Sequence, residues 1–184
     1  MAMPVSGLMQ DLGTIADHIE APDGYRVEII EGKIVVSPTP LGSHALLASR
    51  VQYALRGLLP AEWEIVQYVT LAIPATGERY IPDLAVLPSS LLTEEIWKFP
   101  SQEALLTVEI TSPSNAETDR VKKPRGYARG EVPAYLLIDP ENRRWTLFEE
   151  PENGVYRKQM NVTTGDDLLL QDPFTGPLRT SVIG

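Results

Sequence analysis

Apolar residues at Leu8, Leu12, Ile15 and Ile19, three to four positions apart, predict a short helix over 8–20, ended by Pro22, Asp23 and Gly24. From Tyr25 to Ser37 (YRVEIIEGKIVVS) the pattern changes to two β-branched runs split by Glu31, Gly32 and Lys33, which predicts a hairpin. Ser43 is placed to cap a second helix that reaches about Leu59, with Leu47, Val51, Leu55 and Leu58 as its apolar stripe and Pro60 as its stop. Residues 63–73 (WEIVQYVTLAI) and 79–88 (RYIPDLAVLP) are β-branched and aromatic, and predict two strands that pair antiparallel.

Ala104 to Thr111 (ALLTVEIT) is nearly continuous in apolar character, as a strand covered on both faces should be, and only Glu109 interrupts it. A polar, basic helix over 117–129 and a buried strand over Val132 to Asp139 follow, so strand, helix and strand imply a crossover. Trp145 to Glu149, Val155 to Gln159 and Leu168 to Leu170 add terminal strands, with a turn at Glu152, Asn153 and Gly154. The order predicts an α/β fold built on a sheet of mixed direction.

The 184 residues suit one compact domain, here 22–184 after an N-terminal helical extension over 1–21. With 25 acidic and 16 basic side chains the net charge is -9, so any nucleic-acid site must be local. The absence of cysteine excludes disulfides, thiolate nucleophiles, zinc ribbons and iron–sulfur ligation. His18 and His44 are too far apart for a His-Glu-x-x-His zinc site. Met1 to Ala16 has no basic region followed by an apolar core, and no run of about 18 apolar residues occurs, so a soluble, cytoplasmic protein with no membrane span is expected. Carboxylates and lysines remain as candidate chemistry.

Asp83 (YIPDLAVL) and Glu109 (LLTVEIT) stand among aliphatic residues, where an unpartnered carboxylate costs several kcal/mol, so each needs a counter-charge. Two such oxygen ligands, a main-chain carbonyl near Ile110 and water suit Mg²⁺ or Mn²⁺, which can polarise a phosphoryl oxygen and acidify bound water. The alternative is that each carboxylate pairs with an arginine or caps N–H groups at a strand end.

Asp83 after Pro82, with Glu109 26 positions on in an apolar strand, resembles the PD-(D/E)xK signature of restriction-endonuclease-like nucleases. GYRVEIIEGKIVVSP (24–38), His44, VEITSPSN (108–115), Asp119, Lys123, Tyr127 and VPAYLLIDP (132–140) together resemble the bacterial Uma-type endonuclease family over about residues 22–175. The resemblance implies a central mixed sheet flanked by helices, with Asp83 and Glu109 as metal ligands at its rim. It also gives Glu28 an active-site role, against the alternative of a solvated hairpin residue. The motif lysine, two residues after the acid, is Thr111 here, and the resemblance moves that function to Lys123 on the next helix.

Asp119, Lys123 and Tyr127 are four apart and share a helical face, which an ordinary Asp119–Lys123 ion pair would also explain. Pro124 predicts that the helix starts late or bends beside Lys123, which keeps Lys122 as a substitute. Arg120, Lys122, Lys123, Arg125 and Arg129, with no acid among them, could contact DNA phosphates or form a plain solvated face. His44 is a supporting catalytic residue or a structural one. Ile96, Trp97 and Phe99 are candidate contacts of a homodimer. Two functions follow: a metal-dependent endonuclease-like hydrolase of phosphodiester bonds, or a non-catalytic relative acting as a binding or assembly module.

Overall fold

Side-chain alternation along three central strands decides the architecture. The computed structural model describes residues 12–112 and 116–183, and residues 8–11 of the expected first helix and 113–115 of the VEITSPSN motif lie outside them. In β6 (Leu84–Pro88), Leu84 and Val86 point into one core while Ala85 and Leu87 point into another. In β8 (Leu106–Ile110), Leu106, Val108 and Ile110 join the first core, and in β9 (Ala134–Asp139) Leu136 and Ile138 join the first while Tyr135 and Leu137 join the second. A sheet buried on both faces follows from apolar residues at consecutive positions.

That sheet has six strands in the order β11-β10-β9-β8-β6-β3, with β3 at Trp63–Val66, β10 at Arg144–Glu152 and β11 at Val155–Thr163. Strands β8 and β9 are parallel, and their crossover runs through a π-helical turn at Thr118–Lys122 and α3 at Lys123–Arg129. The first core is closed by α2 (Gly42–Arg56), through Ala48, Val51 and Leu55, and by Leu168, Phe174 and Leu178 near the C-terminus.

The second core is closed by α3 and by a five-stranded sheet in the order β2-β1-β5-β4-β7. These strands are β1 (Tyr25–Ile30), β2 (Lys33–Pro38), β4 (Thr70–Ile73), β5 (Glu78–Tyr80) and β7 (Lys98–Pro100). Residues 12–17 are helical (α1), and among the described residues no helix is long and apolar enough to cross a membrane. Both expected hairpin turns form, with positive φ at Glu31 and Gly32 and at Asn153 and Gly154, the backbone geometry that matches the twist of paired strands.

Several expected boundaries shift. Ser43 does not cap α2, which begins at Gly42 after Leu41 without a side-chain cap, and the helix ends at Arg56 rather than Leu59. The expected strands 63–73 and 79–88 are each cut in two. Tyr68, with φ of 62°, separates β3 from β4, and Pro82-Asp83 separates β5 from β6, so each run leaves one sheet for the other. Proline cannot donate to a ladder, and here it marks the exchange. Phe99 is buried in the second core through β7, so of the expected dimer contacts only Ile96 and Trp97 are exposed.

Candidate active site

The sheet change at Pro82-Asp83 brings one carboxylate to the edge of β8, and the alternation of β8 turns another, Glu109, toward α3. Lys123 Nζ lies 2.7 Å from Glu109 Oε1, and the Tyr127 hydroxyl donates to the same oxygen at 2.8 Å. The local sequence explains how α3 delivers them. Pro124 cannot donate to a helix ladder, and the turn before it is widened, with the Lys123 N–H donating to the Thr118 carbonyl five residues back. Gly126 lets the helix lie against Tyr80, whose ring would overlap any Cβ there. Lys123 is therefore buried at the centre, whereas Lys122 is half-buried and makes no side-chain contact of this kind among the described residues.

Lys123 Nζ also lies 3.3 Å from Glu28 Oε1 and 3.6 Å from Asp119 Oδ1. Glu28 is only 4% exposed and accepts a hydrogen bond from the Ile81 N–H at 2.8 Å, so it is not a solvated hairpin residue. The Tyr135 hydroxyl donates to the main-chain carbonyl of Asp119 at 2.7 Å and holds the π turn over the sheet.

Asp83 Oδ2 accepts the Ile110 N–H at 2.8 Å and lies 2.9 Å from His44 Nε2, which projects from the first turn of α2. Arg26 Nη1 lies 3.6 Å from Asp83 Oδ1. Both features of the alternative reading, a guanidinium partner and a strand-end N–H, are therefore present at Asp83. Arg26 was not singled out from the sequence, although it stands two residues before Glu28 on the same face of β1. Asp119 and Tyr127 carried a clearer signal, their fourfold spacing around Lys123.

Four buried carboxylates, Glu28, Asp83, Glu109 and Asp119, thus share two permanent cations, Lys123 and Arg26, with His44 beside them. The electrostatics follow from that imbalance. Burial pushes the Glu109 carboxyl well above its usual range; Lys123 opposes the shift, and the charges of Asp119, Asp83 and Glu28 add to it. Asp119 is pushed up to about 6, again by burial first, with Lys123 opposing and Asp83 and Glu28 adding. Burial also disfavours the Asp83 anion, but His44, the Ile110 N–H and Lys123 outweigh it and hold its carboxyl below the usual value. Lys123 stays protonated: burial opposes the charge, yet Glu109, Glu28 and Asp119 raise its pKa.

Among the described residues no group of three or more His, Cys, Asp or Glu side chains is arranged to hold a metal ion. The donor set still fits one kind of ion. Two hard carboxylates, Asp83 just before β6 and Glu109 in the neighbouring β8, in a cluster with more buried carboxylates than cations, suit a divalent cation that keeps several of its waters, as Mg²⁺ does, and not a closed protein cage.

The cluster borders a groove of about 510 Å³ whose lining includes Arg26, His44, Ile110, Thr111, Ser112 and Pro140. Thr111, at the position of the motif lysine, lines this groove. The basic segment is less available than its sequence implies. Lys123 points inward, Arg120 pairs with Asp139 at 2.5 Å, and Arg129 lies 4.0 Å from Glu78. Lys122 and Arg125 are left without an ion pair among the described residues.

A family model described as "Uma2: Putative restriction endonuclease" matches residues 15–181. The chain belongs to the Uma2 family. Solved structures agree on the fold. The Uma2 chain superimposes on a crystal structure described as a putative nuclease belonging to DUF820 from Anabaena variabilis, with a TM-score of 0.71 and 20% identity over 90% of this chain and 92% of that one. The architecture is the restriction-endonuclease-like α/β fold, here with its central mixed sheet covered by α2 on one side and by α3 and a second sheet on the other. No curated protein matches the chain.

Proposed function

We propose that this Uma2 protein is a divalent-metal-dependent, endonuclease-like hydrolase of nucleic-acid phosphodiester bonds. The observation that carries the reading is the cluster of four buried carboxylates served by two permanent cations beside an open groove. Asp83 and Glu109 would hold Mg²⁺ or Mn²⁺, which when bound polarises a phosphoryl oxygen and acidifies its own water. Lys123 orients Glu109 and places a fixed positive charge beside the reacting phosphate. Glu28 positions Lys123, and His44, itself on the groove wall, positions Asp83 behind it. The nucleic-acid substrate rests on the family description. Ile96 and Trp97 are the exposed part of the loop offered to a homodimer contact.

A second reading is a non-catalytic binding module, and the contacts at Asp83 favour it: the Ile110 N–H donates to that carboxylate, and His44 and Arg26 lie 2.9 and 3.6 Å from its oxygens. The two separate in one assay. Supercoiled plasmid and single-stranded DNA are incubated with wild type and Asp83→Ala over a range of Mn²⁺ and Mg²⁺. Metal-dependent nicking that disappears in the variant supports the hydrolase, and an equal background in both proteins supports the binding module.

A further inference from the structure

One face of the central sheet continues outward from Glu109. In register, Glu109 faces Leu137, Leu137 faces Thr146, and Thr146 faces Asn161. Three strand spacings of about 4.8 Å carry this row roughly 14 Å from the carboxylate cluster. It ends in a concavity of about 240 Å³ lined by Arg120, Arg144, Thr146, Gln159 and Asn161, with Asp139, Leu137 and Phe148 among them.

The acid in that concavity is already satisfied. Asp139 accepts the Asn142 N–H at 3.1 Å, the Asn142 side-chain amide at 2.9 Å and Arg120 at 2.5 Å. The donors are not. Arg144 and Gln159 are exposed, and neither side chain has an ion pair or hydrogen bond among the described residues. The Thr146 hydroxyl donates to Asn161 Oδ1 at 2.9 Å, which turns the Asn161 amide nitrogen outward as a further donor. The surface therefore offers one unpaired guanidinium and two side-chain amides, with an excess of positive charge, on a chain whose net charge is -9. Arginine, glutamine, asparagine and threonine are the side chains that hold a nucleic-acid backbone in register without reading its bases.

We infer that this concavity seats a backbone phosphate flanking the scissile bond, with Arg144 as its principal contact. The inference rests on the nucleic-acid substrate proposed above. A phosphate held here fixes the strand relative to Glu109 and contributes no sequence preference.

The test is binding of fluorescently labelled duplex and single-stranded DNA to the full chain in EDTA, across a salt titration, for wild type, Arg144→Ala, Arg144→Lys and Arg179→Ala. Arg179 is exposed in a two-stranded sheet that pairs Asp167–Leu168 with Leu178–Arg179, outside the concavity, and controls for a general loss of charge. Losing one phosphate contact should lower the slope of log affinity against log salt by about 0.9 for duplex or about 0.7 for a single strand, so the deficit of Arg144→Ala shrinks about threefold between about 50 and 200 mM salt. Arg144→Lys should keep most of the slope, and Arg179→Ala all of it. A wild-type slope in Arg144→Ala, or an equal loss in Arg179→Ala, overturns the inference. If Asp83→Ala abolishes cleavage while Arg144→Ala binds normally, this inference falls and the hydrolase stands. If Arg144→Ala loses the slope but no protein cleaves, the phosphate seat stands and the hydrolase falls. A wild type that binds neither DNA overturns the inference and the substrate assignment together.

Discussion

Replacing Lys123 with methionine removes the cation that Glu109, Glu28 and Asp119 share while leaving a side chain of similar length. All four residues are 5% exposed or less, so the remaining carboxylates cannot turn to solvent without disrupting the second core. Removing one partner of a buried ion pair costs about 3–5 kcal/mol. For a chain of this size each kcal/mol moves the melting temperature by about 2–4 °C, so a drop of about 6–20 °C is expected. The deficit should depend on pH in a defined sense. Glu109 is already held above its usual range and Asp119 at about 6, and losing the lysine raises both further. A carboxyl whose folded pKa lies above its unfolded one costs stability only when ionised, so the deficit should be smallest near pH 5 and widen as pH rises through about 6 and beyond. Thermal and urea unfolding from pH 5 to pH 8 measure this. Adding Glu109→Gln to the Lys123→Met protein should recover more than about 1 kcal/mol, since the two changes act on one contact. A drop below about 2 °C with no pH dependence would refute the placement of Lys123 as the central counter-charge.

Three other outcomes are expected. Mn²⁺ at a hundredfold excess over its Kd should stabilise the wild type by about 2.7 kcal/mol, read as a rise of roughly 5–10 °C in melting temperature, and Glu109→Gln should abolish the rise. Gly126→Ala should destabilise by about 1–3 kcal/mol or more, because its Cβ would overlap the Tyr80 ring, and an unchanged urea midpoint would contradict the close approach of α3. Burial disfavours the Asp139 anion, but hydrogen bonds from Asn142 and Arg120 hold its carboxyl below the usual value. Its contribution is therefore present above the unfolded pKa and lost as pH falls through the folded one. Asp139→Asn should cost about 1–2 kcal/mol at pH 7 and progressively less below about pH 4 in urea titrations.

The crossover unit and both hairpins could be read from the sequence because their signals are local. Consecutive apolar positions in 104–111 and 132–139 demand burial on two faces, and Glu31-Gly32 and Asn153-Gly154 are the residues a tight hairpin turn takes. The division of 63–73 and 79–88 between two sheets could not, since an apolar run looks the same whether its strand stays in a sheet or leaves it. Pro82 is the one local clue to the exchange, and in sequence it looks the same as the proline of the Pro-Asp motif. At the site, a carboxylate inside an apolar strand identified Asp83 and Glu109 as residues needing a partner, and the spacing of Asp119, Lys123 and Tyr127 located one of them. Arg26 remained hidden because a single arginine in an alternating hairpin gives no sign of which sheet it will face. Phe99 is misplaced for a related reason: three residues of β7 pair with β4 across 28 positions of chain, a contact no local pattern announces.

The central claim, that Asp83 and Glu109 share a divalent cation, is tested most directly by crystals soaked in Mn²⁺ and measured at the manganese absorption edge. The account predicts one anomalous peak between the Asp83 and Glu109 carboxylates, with Arg26 drawn back from Asp83. No peak there at millimolar Mn²⁺, with Arg26 and Lys123 still on their carboxylates, would contradict it.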